Sequence, residues 1–136
     1  MQIARVALPV MAWLFIALVA VQVFFAGLGL FGATDMALHR DFGYWVPLGA
    51  LAVLLGALVG RAGARTIWLA GGLLVASAVQ TALPVLRDDL PFIAALHPVN
   101  ALLMFWLALV VARRAVALSQ APAGVSATSA ADRVGA

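Results

Sequence analysis

The chain is predicted to be all-α, an integral membrane antiparallel four-helix bundle built from two repeated helical hairpins. Three observations predict it. Of its 136 residues 66% are hydrophobic and only 10% charged, and mean hydropathy is +1.14, more apolar surface than one small water-facing core can hide. Four runs reach the ~20 apolar residues that a spanning helix needs, at about 6 to 31, 43 to 60, 66 to 86 and 92 to 112. The connections between them are short, which forces chain neighbours into antiparallel contact.

The first run, about 26 residues, exceeds the apolar region of a cleaved leader, and three more runs follow it, so it reads as a retained helix. "GATDMALHRDF" then leads to the second helix, "RAGAR" to the third and "RDDLP" to the fourth. In the second helix, Gly56-Ala-Leu-Val-Gly60 has the small-xxx-small spacing that lets helices approach closely. Residues 1–116 form the transmembrane domain, and 117–136, ending "SQAPAGVSATSAADRVGA", read as a flexible cytoplasmic tail.

Net charge is +3, from eight arginines and five aspartates with no lysine or glutamate. The arginines stand singly or in pairs at the ends of apolar runs, so they orient the protein and form no nucleic-acid surface. Arg5, Arg61, Arg65, Arg113 and Arg114 flank one side, and the positive-inside rule puts that side, with both termini, in the cytoplasm. This places the chain as a multi-pass protein of a bacterial cytoplasmic membrane. Arg40, Arg87 and four of the aspartates lie on the outer side. With no cysteine, disulfides, thiolate metal sites, iron–sulfur clusters and covalent haem attachment are excluded.

A weak repeat runs along the chain with a shift of 58 residues: "AVQ" recurs at 20–22 and 78–80, and "ALH" at 37–39 and 95–97. Alanine, valine and leucine are too common here to count, so the paired Gln22/Gln80 and His39/His97 carry the signal. His39 and His97, the only two histidines, then open the second and fourth helices on the outer side. An ionisable group at membrane depth is a functional candidate by default.

Two neutral imidazoles facing each other in a four-helix bundle are what a low-spin b-type haem needs, one nitrogen on each side of the metal. His39 and His97 are the candidate metal ligands. Arg40 and Arg87 are placed to meet the propionates, against the alternative that each pairs with a neighbouring aspartate. Gly27, Gly29, Gly43, Ala94 and Ala95 would leave room for the ring, and Phe31, Phe42, Phe92, Tyr44 and Trp45 would pack on its edges. Gln22 and Gln80 read as hydrogen-bonded glue between helices or as contacts near a haem or quinone, and Asn100 reads similarly. Pro98 fits as a first-turn proline.

Other chemistry is poorly supported. Two histidines without a third ligand are a weak zinc signature, no Walker loop or nucleophile elbow is present, and no charge or broken-helix pattern marks a transport path.

The "AGLGLFG" end of helix 1, the "HR" opening helix 2 and the "LHPVNA" opening helix 4 resemble an uncharacterised bacterial family of small four-span proteins, over about residues 10 to 115. That resemblance implies no established activity. More loosely, the layout is similar to one half of haem A synthase, whose four-helix halves ligate haem through histidines opening the second and fourth helices. The resemblance implies that His39 and His97 are ligands. It departs at Met36, where the synthase has a glutamate three residues before its second-helix histidine, and this chain supplies one half, so haem A synthesis by it alone is not expected.

Two functions follow as expectations. The first is a b-type cytochrome for electron transfer or support of a redox complex, with a membrane redox partner or quinone because one haem near one face does not span ~30 Å of hydrocarbon. The second is a cofactor-free structural or accessory subunit of a larger complex. A quinone or small-molecule site using the histidines and glutamines is a third.

Overall fold

The computed structural model describes residues 2–120, and all of its regular elements there are helical. The chain forms α1 (Gln2–Leu30), α2 (Ala37–Gly43), α3 (Trp45–Val59), α4 (Ala64–Ala82) with a 3₁₀ turn over Leu83–Leu86, α5 (Pro91–Ala94) and α6 (Leu96–Gln120). Joined end to end these make four segments long and apolar enough to cross a membrane: Val6–Leu30, Ala37–Val59, Ala64–Leu86 and Pro91–Gln120. It is a multi-pass membrane bundle. The fourth span runs past residue 112, so residues 117–120 of the expected tail are helical. The rest of that tail, 121–136, lies outside the described residues.

The second span starts at Ala37 rather than near 43, which places His39 inside a helix. Both even spans jog three residues before a proline, at Tyr44 before Pro47 and at Ala95 before Pro98. The cause is local: proline has no N–H for the carbonyl four residues earlier, and its ring crowds that carbonyl. Tyr44 and Ala95 keep right-handed helical angles, so each span bends without ending.

The spans close into a ring in which α1 packs on α3 and α6, and α4 on the same two helices. Its core is built of small side chains, with Ala12, Ala50, Ala57, Ala70, Ala108 and Ala112 fully excluded from the surface. Lipid is as apolar as leucine, so close backbone approach holds such helices together more than hydrophobic burial does. Leu30, Trp68, Phe92 and Leu102 accordingly face outward. The close approach of α3 to α1 uses Gly49 and Gly56, two turns apart. Gly56 lies beneath Met11 and Leu8, and Gly49 beneath Leu18 and Phe15. Gly60, the second glycine of the expected motif, instead follows the end of α3.

A side chain at Gly49 would start 3.1 Å from the buried Phe15 ring. Gly49→Val is therefore expected to cost about 1–3 kcal/mol through overpacking, read as a lower thermal midpoint in detergent. An unchanged midpoint would show that α1 and α3 do not meet there.

The first two spans end alike. Ala33 N–H bonds the Leu28 carbonyl across Gly32, and Ala62 N–H bonds the Ala57 carbonyl across Arg61, the six-to-one closure that needs a left-handed residue between. Gly32 takes that conformation freely at φ 74°, whereas Arg61 does so at φ 48° with a side chain to accommodate. At the end where the second span finishes, Arg114 Nε donates to the buried Thr66 hydroxyl at 3.1 Å and ties α6 to α4.

Candidate functional site

At the opposite end the repeat becomes geometry. His39 Nδ1–H donates to the Gln22 carbonyl at 3.0 Å, and His97 Nδ1–H donates to the Gln80 carbonyl at 3.0 Å. A carbonyl only accepts, so both rings carry a proton on Nδ1, which in the neutral imidazole leaves the lone pair on Nε2. In the second hairpin the acceptor exists for a stated reason. The residue four beyond Gln80 is Pro84, which has no N–H to close the helical bond, and His97 takes its place. In the first hairpin α1 continues to Leu30, so the Gln22 carbonyl receives His39 through its second lone pair.

The two rings meet. Their centroids are 6.1 Å apart and their planes are at 81°.

Around His97 the polar groups form a closed chain. The Gln80 carboxamide N–H donates to His97 Nε2 at 3.2 Å, and Asn100 Nδ2 donates to Gln80 Oε1 at 2.7 Å and to the Ala76 carbonyl at 2.8 Å. This directionality has one solution. Turning the Gln80 amide over would set its oxygen against the His97 lone pair and its NH₂ against the Asn100 NH₂.

The first hairpin lacks that brace. Gln22 is only 7% exposed, its amide nitrogen lies over Gly43, and its Oε1 is buried with no hydrogen-bond partner. The repeat shift carries Asn100 onto Phe42, whose ring instead packs edge-on against Phe25 at 5.1 Å. Where the second hairpin has a donor, the first has an aromatic ring.

The remaining candidates stand apart from this network. Arg40 Nε pairs with Asp41 and Arg87 Nε with Asp88, each at 3.1 Å and each exposed, and Tyr44 is exposed at the jog between α2 and α3. The glycines expected to leave space for a flat ring divide. The gap at Gly29 is filled by the Met36 side chain and that at Gly43 by Gln22, while at Gly27 no atom lies within 4 Å of where a side chain would start. Phe31 and Phe92 point outward. Among the described residues no group of three or more His, Asp or Glu side chains is arranged to hold a metal, so any metal here would rest on the two imidazoles and a ligand frame of its own.

A family model described as a family of unknown function (DUF6220) matches residues 22–85. The chain is similar to that family. The matched stretch opens on Gln22 and contains His39, Gln80 and Pro84, stopping short of His97. With the four apolar spans it fits an uncharacterised family of small membrane proteins. No curated protein matches the chain and no solved structure does, so the looser likeness to haem A synthase rests on the quoted motifs alone.

Proposed function

We propose that the protein binds one b-type haem between His39 and His97, near the outer face of a bacterial cytoplasmic membrane, and serves electron transfer or a larger redox complex. The observation that carries this reading is the histidine pair. Metal-ligating histidines characteristically give their other N–H to a carbonyl or carboxylate, which sets the tautomer and the ring orientation, and both rings do so here. The two rings also stand beside each other, with centroids 6.1 Å apart, so His39 and His97 would together hold the group.

The bound group would supply one-electron redox chemistry, and the protein's residues would orient it and set its surroundings. The Gln22 and Gln80 carbonyls hold the imidazoles in their ligating tautomer. Arg40 and Arg87, exposed at that end, supply cations for the propionates. Arg61, Arg65, Arg113 and Arg114 gather at the other end, which supports an inner location for that end and for both termini. A redox partner or quinone then has to accept at the outer face.

The test is the spectrum of detergent-purified protein, air-oxidised and dithionite-reduced. A sharp Soret band with resolved α and β bands on reduction is expected. A featureless absorption spectrum, unchanged when haem is supplied during expression, would sink the reading.

One observation favours a second reading, a cofactor-free accessory subunit. Gln80 and Asn100 already satisfy His97 without any ligand, and a ring pair at 6.1 Å is also an ordinary edge-to-face contact.

A further inference from the structure

The two hairpins share a histidine bond and differ in everything around it. His39 makes one hydrogen bond, through Nδ1. His97 makes two, and the second occupies Nε2, the nitrogen that would have to ligate a metal. The group occupying it is held in place, because Asn100 grips the Gln80 amide oxygen and is itself anchored on the Ala76 carbonyl. In the first hairpin the corresponding glutamine has its amide nitrogen over Gly43 and makes no side-chain hydrogen bond to its histidine, and the position corresponding to Asn100 is Phe42. Ligation by His39 therefore breaks no hydrogen bond within the protein, whereas ligation by His97 breaks the Gln80 bond.

We propose that His39 is the permanent ligand and His97 a releasable one, with the Gln80 carboxamide competing against the metal for His97 Nε2, so that the His97 side admits a small neutral diatomic ligand. The inference rests on the haem reading above. The exchange needs no oxidant or reductant. One iron–nitrogen bond breaks, one bond from iron to the incoming molecule forms, and the freed imidazole lone pair accepts the Gln80 N–H. Asn100 positions the amide for this and makes no hydrogen bond to either ring, so it is a positioning residue. An uncharged ligand crosses lipid freely, whereas an anion is costly at membrane depth.

Carbon monoxide is the probe. Added to the dithionite-reduced full chain in detergent, it is expected to shift the Soret band and collapse the α band, with saturable binding. Gln80→Leu and Asn100→Leu each weaken the competitor for His97, so each should raise the carbon monoxide concentration at half-saturation about fivefold or more, the ratio that corresponds to losing one interhelical hydrogen bond of ~1–2 kcal/mol. Either variant suffices if the other fails to fold, and the wild-type titration stands without them. A haem-loaded wild type inert to carbon monoxide overturns the releasable ligand while leaving two-histidine ligation standing, and so does a half-saturation point that both variants leave unchanged. A wild type with no Soret band overturns the haem reading, and this inference with it.

Discussion

His39→Ala is expected to leave the purified protein with at least about tenfold less haem, whereas His97→Ala keeps its haem and loses its low-spin bands. A single imidazole–metal bond has to offset whatever the free ligand gives up, and ~1.4 kcal/mol is a factor of ten in occupancy. His39 gives up no hydrogen bond at Nε2, while His97 gives up the Gln80 amide and loosens the Asn100 bond behind it. The residual ligand in His97→Ala is thus the ready one, and in His39→Ala it is the one already engaged. The measurement is the pyridine haemochrome content per protein, with circular dichroism to show that the helices are intact. Adding imidazole to His97→Ala should restore the low-spin spectrum, because the missing ring leaves a ring-sized gap opposite an intact ligand. Equal haem loss from both variants would mean that the Gln80 contact carries no weight in ligation, and retention by His39→Ala alone would reverse the assignment.

The sequence shows most of the scaffold and the histidine pair, and for different reasons. Four spans are legible because lipid leaves the chain little choice: each crossing needs ~20 apolar residues in a helix that satisfies its own backbone. The Gln22/His39 and Gln80/His97 spacing is legible because both pairs are rare residue types in a simple background, and the same 3.0 Å bond in each hairpin is what that spacing makes. The start of the second helix is misread because hydropathy does not register the polar turn that carries His39, Arg40 and Asp41 as part of the span, and Ala37–Gly43 is helix; the jogs before Pro47 and Pro98 likewise leave no mark in hydropathy. Glycine counts misjudge the room near the histidines, because a missing side chain opens space only if no neighbour fills it, and Met36 and Gln22 fill two of the gaps. The signal that the hairpins differ does lie in the sequence, in Phe42 against Asn100 and in Pro84 against Ala26. Its meaning depends on rotamers, which spacing does not encode.

That difference has a consequence for stability that involves no ligand. Gln80→Met is expected to destabilise the bundle, and Gln22→Met is expected to leave it unchanged or make it more stable. Methionine nearly matches glutamine in length and lacks its donors and acceptor, so the two variants compare hydrogen bonding at nearly constant shape. At position 80 the replacement removes the bonds to His97 and from Asn100, worth ~0.6–2 kcal/mol each inside a membrane bundle. Their combined loss should lower the thermal midpoint in detergent at matched haem content. At position 22 no side-chain bond is lost, and a buried oxygen without a donor is removed; leaving such a group unpaired costs ~1–3 kcal/mol, which the methionine thioether avoids. The expected order of midpoints is therefore Gln22→Met at or above wild type, with Gln80→Met below both. A loss at position 22 as large as that at position 80 would mean that Gln22 Oε1 does have a donor, for which a buried water between Gln22 and the foot of α3 is the economical candidate. The two hairpins would then be alike in hydrogen bonding after all, and the distinction drawn between His39 and His97 would have to rest on the Gln80 contact alone.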